Sequence, residues 1–326
     1  MTPRFCSVAA LVSLFVATAP IKHAAGTREN PTQPPNIIVI LTDDQDVEMF
    51  SLSPMRKVRE LLMRRGTTFN NTFVTTPICC PSRSSILTGK YVHNHGTRNN
   101  SVAGGCSSVW WQQHQEPHTF AAYIKQQRPE YLTFYAGKYL NRYGERGTGA
   151  GHVPPGWDWW YGLVGNSVYY DYYLSVNGSA QWHGHLAEDY LTAVVSRKAV
   201  EFLEFVSRSR VARPLLMVLS VPAPHAPFTP AAKYRSHFSN VTAPRTANWG
   251  VRGKDKHWLV RTTPYPMSHS VTQISDSAFR NRWKTLLSVD DMVASIHLKL
   301  SATQQLNRQA KESPRAEIWR NKTKAI

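Results

Sequence analysis

Apolar residues fall into two kinds of pattern along this chain. Asn36-Ile-Ile-Val-Ile-Leu41, Tyr131-Leu-Thr-Phe-Tyr-Ala136 and Leu215-Leu-Met-Val-Leu-Ser-Val221 are near-continuous apolar runs. Runs of this length, rich in β-branched and aromatic residues, predict strands buried on both faces of a parallel sheet. Between 188 and 206 the spacing changes: Tyr190, Leu191, Val194, Val195, Ala199, Phe202, Leu203 and Val206 recur at helical intervals, which predicts an amphipathic helix. Further helices are predicted over 54–65, from about 81, over 120–127 with Thr119 as cap, and over 276–303. Residues 226–275 read as irregular. Strands alternating with helices, each strand ending in polar residues, predict an α/β layered domain with a mostly parallel central sheet and helices on both faces.

The two ends of the chain read differently. Residues 5–19 are apolar, follow Arg4 and lead into small residues. This predicts a signal peptide over residues 1–25, too short to span a membrane and followed by no second apolar run. Residues 26–35 form a polar, proline-rich lead-in, and 36–307 the folded domain. From Arg308 to Ile326 the chain is polar and basic, with six Lys or Arg against two Glu and no strand signal.

Charge narrows the partner. The 326-residue chain carries a formal net charge of +17. Removing residues 1–25 takes away Arg4 and Lys22 and no acid, leaving +15. So basic a chain suits an anionic partner. Nucleic acid fits poorly beside a signal peptide and the Asn-x-Ser/Thr triplets at Asn70, Asn99, Asn177, Asn240 and Asn321, which are acceptors for N-glycosylation. A sulfated polysaccharide fits better. Of the four cysteines, Cys6 leaves with the leader, so Cys79, Cys80 and Cys106 remain. That is an odd number in an oxidising compartment.

Candidate chemistry lies at the strand ends. Asp43 and Asp44 follow the first run and offer adjacent hard oxygen ligands for Ca²⁺ or Mg²⁺. Lys138 follows a glycine at the end of the second. His225 sits between prolines after the third, where it is placed to donate a hydrogen bond. In the helix predicted from about 81, Pro81 suits a first turn and places Cys79 at its positive end, with Arg83 about one turn on.

The frame Cys79-Cys-Pro81-Ser-Arg83, continued by Leu87-Thr-Gly89 in register, resembles the signature of the sulfatases of the alkaline-phosphatase superfamily. The likeness runs from about Asn36 to Asn307. It implies that Cys79 is oxidised to formylglycine by a formylglycine-generating enzyme. The aldehyde hydrate carries two hydroxyls on one carbon: one attacks the sulfur of a sulfate ester, and the other later expels the sulfate. It further implies Ca²⁺ held by Asp43, Asp44 and residue 79. Arg83 would steady the hydrate, Lys138 and His225 would contact the sulfate, and His93, His95, Lys256 and His257 would lie near the sugar. With Cys79 converted, Cys80 and Cys106 are left to pair.

Ala136-Gly-Lys-Tyr-Leu-Asn141, His152-Val-Pro-Pro-Gly-Trp157 and Pro222-Ala-Pro-His-Ala-Pro227 resemble family members that remove the 6-O-sulfate of N-acetylglucosamine in heparan or keratan sulfate. That resemblance implies a lysosomal enzyme. Leu140 stands where many sulfatases have a histidine, which leaves the base for sulfate elimination open. The family pattern stops near Asn307. Its next core strand, carrying an acid-amide or acid-histidine pair of the metal site, is absent. The expectation is therefore a truncated, weakly active or inactive chain, secreted poorly or retained in the endoplasmic reticulum. Asp290 and Asp291 read as mid-helix residues unable to replace the missing pair. The rival readings are a glycosaminoglycan-binding fragment without turnover, a cell-surface heparan endosulfatase and a superfamily phosphatase.

Overall fold

The computed structural model describes residues 34–145, 149–209 and 213–303, together with the backbone of Val12–Leu14. The rest of the leader and lead-in before residue 34, the basic tail and Asn321 lie outside the described residues. Seven strands form one mixed sheet. In chain order they are β1 (Val12–Leu14), β2 (Ile37–Leu41), β3 (Leu132–Lys138), β4 (Trp159–Leu163), β5 (Tyr172–Val176), β6 (Ser179–His183) and β7 (Leu215–Ser220). Their order across the sheet is β1-β2-β7-β3-β4-β5-β6. The four central strands are parallel, and β1, β5 and β6 are antiparallel to their neighbours.

Register sets the site. Leu41 and Gly137 both lie opposite Ser220, so β2, β7 and β3 end level. The residues that follow each strand therefore emerge side by side at one edge, where open α/β sheets place their ligands. Gly137 has φ +106°, and a Cβ there would stand 1.8 Å from the Ser220 carbonyl oxygen. Only glycine lets β3 run so close to β7 just before Lys138.

Each central strand is buried on both faces because each face carries its own core. Phe134 and Ala136 of β3 and Met217 and Leu219 of β7 point to one side. There they meet the helices α3 (Leu191–Ser207) and α4 (His269–Ala302). Tyr135 and Val218 point to the other side, toward α1 (Cys79–Thr88), and α2 (Phe120–Gln127) packs against the same sheet face. Alternate residues of one run thus serve opposite cores. Phe202 of α3 is fully buried against Phe134 and Trp159; truncation of such a side chain to Ala costs about 3–5 kcal/mol. On the α1 side Tyr135, Tyr139, Tyr143 and Trp160 interlock in stacked and edge-on contacts.

Four differences from the sequence expectation stand out. β4, β5 and β6 were not anticipated. α4 begins at His269 rather than 276, because the Ser268 hydroxyl accepts from the Val271 N–H and caps it earlier. The helix predicted over 54–65 makes only one α turn, Arg56–Val58, before widening to a π-helical segment, Arg59–Met63. β1, which falls in the stretch read as a leader, lies antiparallel against the outer edge of β2. Asp290 and Asp291 are structural, as the helix reading implies. Asp290 accepts from the backbone N–H of Lys57 and Val58, and Asp291 pairs with Lys57 and Lys233.

Candidate active site

α1 begins at Cys79, with Ile78 extended before it and Gly89 in the left-handed conformation closing it. Residue 79 therefore sits on the first turn, where the positive end of the helix dipole favours negative charge. A disulfide joins its neighbour Cys80 to Cys106, with Cα atoms 5.9 Å apart. The pairing expected from the resemblance is thus present. Cys79 is left as the free cysteine, partly exposed, and the Cys80 N–H is held by the Asn100 side chain at 2.9 Å.

Asp43 is the electrostatic centre. Its Oδ2 accepts from Lys138 Nζ at 2.7 Å and from the Ser167 hydroxyl, and its Oδ1 faces Arg83 Nη2 at 3.3 Å. Its backbone N–H donates to the Ala223 carbonyl at 3.0 Å, which locks the β2 end to the loop after β7. All three charged groups are buried. Burial alone would raise the pKa of Asp43, but the adjacent Arg83 and Lys138 outweigh it and hold the carboxyl well below the usual carboxylate range. Arg83 completes the lattice by donating from Nη1 to the Lys138 carbonyl and to Ser220 Oγ, each at 2.7 Å.

His225 reaches the same point from the loop after β7. Its Nδ1 lies 2.5 Å from the Ala226 carbonyl, so that nitrogen is the donor and Nε2 faces the site, 3.7 Å from Asp44 Oδ2. The side-chain ligand atoms of Asp43, Cys79 and His225 lie within 4.8 Å of one another. Contact with Cys79 pushes the imidazole up; burial works against this and Asp43 adds to it. Tyr169 steadies the loop by donating to the His225 carbonyl at 2.7 Å. A small cleft over the cluster is lined by Asp43, Asp44, Pro77, Ile78, Cys79 and Arg83, among others.

The fold therefore gathers Asp43, Asp44, Cys79, Arg83, Lys138 and His225 from four separate stretches of chain. The other sequence candidates are placed elsewhere. His95 is fully buried, bonded through Nε2 to Ser85 and through Nδ1 to the Thr97 N–H. Both ring nitrogens are engaged, so its place is beneath the surface, bracing α1. His93 is exposed and stacks on Tyr91. Lys256 pairs with Asp255, and His257 caps the short helix Trp258–Arg261. Neither lines the cleft.

Three participants carried no signal in the sequence. Ser167 and Ser220 are buried hydroxyls bonded to Asp43 and Arg83. Arg282, midway along α4, donates to the Asp44 carbonyl at 2.8 Å, to the Pro224 carbonyl at 3.4 Å and to the Asp46 carboxylate. It thus ties the Asp44 turn, where Asp44 itself has φ +63°, to the His225 loop. A lone arginine in an amphipathic helix gives no warning of that role.

This constellation, at the level ends of parallel strands and the start of a helix, sets a free thiol beside a buried carboxylate and an imidazole. The sulfatase family model matches residues 35–309, and the chain belongs to the sulfatase family. It is 47% identical over 286 residues to human N-acetylglucosamine-6-sulfatase, covering 87% of this chain and 50% of that protein. The goat protein of the same name (Capra hircus) is 47% identical over 275 residues, 84% of this chain and 48% of its own. An extracellular sulfatase SULF-1 homolog of Drosophila melanogaster is 39% identical over 275 residues, 84% of this chain and 24% of its own. The chain spans about half the length of the N-acetylglucosamine-6-sulfatases it matches. Among solved structures, the sulfatase yidJ of Bacteroides fragilis superposes with TM-score 0.61 at 18% identity, covering 87% of this chain and 61% of that one. A protein solved with its substrate D-glucosamine-2-N,6-O-disulfate superposes with TM-score 0.60 at 21% identity, covering 84% and 63%. These structural likenesses bear on the fold alone, which they share with the α/β layers described above.

Proposed function

We propose that this protein is a sulfuric ester hydrolase acting on the 6-O-sulfate of N-acetylglucosamine in heparan or keratan sulfate. The observation that carries the proposal is the free Cys79 on the first turn of α1, within 4.8 Å of Asp43 and His225. The 47% identity to N-acetylglucosamine-6-sulfatases supports the substrate class. Formylglycine made from Cys79 by a formylglycine-generating enzyme supplies a hydrated aldehyde, whose hydroxyl is a nucleophile that no encoded side chain offers. Ca²⁺ suits hard carboxylate oxygens such as those of Asp43 and Asp44, and would supply positive charge there that favours an ionised hydrate.

The chain's own residues do the rest. Arg83 and Lys138 fix Asp43 in one ionised position, so the negative charge beside residue 79 is set before substrate arrives. The positive end of the α1 dipole favours the sulfate oxygens. His225 Nε2, oriented by the Nδ1 bond to Ala226, is placed to give a proton to the departing sugar oxygen. The apolar residues 5–19 and the exposed sequons Asn70, Asn99, Asn177 and Asn240 support passage through the secretory pathway.

Turnover of a fluorogenic N-acetylglucosamine-6-sulfate by protein made in cells that convert Cys79 tests the proposal. Hydrolysis that disappears in Cys79→Ser is expected. Equal hydrolysis by the variant overturns it.

A further inference from the structure

A second concave surface among the described residues lies away from the Cys79 cleft, and shares no residue with it. It is a broad open groove of about 660 Å³ lined by Arg56, Arg59, Glu60, Met63, Arg64 and Thr68. Three guanidinium groups here face one carboxylate. Glu60 is already taken by Arg56 at 2.8 Å, and Arg59 and Arg64 have no side-chain hydrogen bond or ion pair among the described residues. The Arg56 bond to Glu60, and then the charges of Arg56, Arg64 and Arg59, favour its ionised form. The groove therefore holds a net charge of +2 with two unsatisfied planar forks, the geometry that matches the oxygens of sulfate or carboxylate in pairs.

We propose that this groove is a second binding site, an exosite for a sulfated polysaccharide, which holds the polymer while one of its sugars lies at residue 79. The identity of the ligand rests on the sulfated-glycan reading above; the existence of an anion site does not. Met63 is the one apolar side chain of the lining, which disfavours a membrane surface, where apolar insertion would accompany the charge. The two sites share a rigid support. Arg282 of α4 holds the Asp44 turn, and Asp290 of the same helix accepts from the N–H groups of Lys57 and Val58, where the groove's helix begins. Those two residues are about 12 Å apart along the helix.

The test is heparin affinity by titration calorimetry, for the unaltered protein, for Arg59→Ser/Arg64→Ser, and for the exposed basic control Arg252→Ser/Lys254→Ser/Lys256→Ser. Equal melting temperatures establish that all three are folded. The groove variant should bind about tenfold more weakly, the sum of two exposed ion pairs, and with a shallower salt dependence. The control should stay within about twofold, and chemically desulfated heparin should bind none of the three. A control loss equal to or greater than the groove loss means diffuse basicity and overturns the proposal. So does unchanged binding by the groove variant, or loss of binding to phosphatidylserine vesicles with heparin binding intact. Turnover of the monosaccharide sulfate is read separately and should be the same in the groove variant. Its absence in every protein counts against the sulfatase reading and leaves the heparin result to decide the groove.

Discussion

Lys138 Nζ donates to Asp43 Oδ2 across 2.7 Å, and neither group reaches solvent. With Arg83 this makes a buried triad of two cations on one carboxylate, held by the level ends of β2, β3 and β7. Asp43→Asn leaves both cations without their counter-charge, and removing one partner of a buried pair costs about 3–5 kcal/mol. Chemical denaturation should show a loss of that size, together with loss of turnover.

The same triad predicts an unusual flatness toward acid. Asp43 is ionised in the folded state far below the ordinary value of about 3.9. A depressed constant contributes stability that is present above the unfolded value and lost only as pH falls through the folded one. The difference in melting temperature between the unaltered protein and Asp43→Asn should therefore stay constant from pH 7 to pH 5. It should shrink only below about pH 4, and a difference that stays unchanged down to about pH 2 would show that Asp43 titrates alike in the folded and unfolded chain.

Arg282 braces two loops without reaching the cleft over Cys79. Arg282→Gln should keep the melting temperature nearly unchanged while lowering kcat by about tenfold, because misplacement of catalytic groups acts on the transition state. KM for the monosaccharide sulfate should move little. Arg282→Lys should not restore kcat, since a single ammonium cannot reproduce the guanidinium fork that spans Asp44, Asp46 and Pro224. A large drop in melting temperature with kcat preserved would assign Arg282 to stability alone.

The Cys80–Cys106 bridge closes a 26-residue separation directly behind the nucleophile. Loop-closure entropy for that length corresponds to about 3.5 kcal/mol. Cys80→Ala/Cys106→Ala should lose stability near that figure in denaturant titrations, and Cys79 should then become more reactive toward thiol reagents as α1 loosens.

Much of this was legible in the sequence because buried parallel strands announce themselves. The runs at 36–41, 131–136 and 215–221 carry no polar face, so their type and their functional carboxyl ends follow together. The helix at 191–207 was equally plain from its spacing, and the signature around Cys79 from its residue order. β4 to β6 were missed because Trp159–Leu163 is a short run interrupted by Gly162, and Ser179–His183 is mostly polar and shows no clean period. Asn177-Gly178, both with positive φ, was the one strong hairpin signal there. Ser167, Ser220 and Arg282 were invisible for another reason. Their importance depends on which strand ends the fold brings together, and a serine or arginine carries no mark of that at its own position. His95 shows the converse, a histidine next to a motif whose ring nitrogens are spent on Ser85 and Thr97.

The account turns on residue 79. Peptide mass spectrometry of protein produced in cells containing the formylglycine-generating enzyme reads it directly, at the tryptic peptide ending in Arg83. The prediction is an aldehyde in place of the Cys79 thiol, with Cys80 recovered in its disulfide to Cys106. An intact thiol at Cys79 in all of the material would contradict the proposed mechanism.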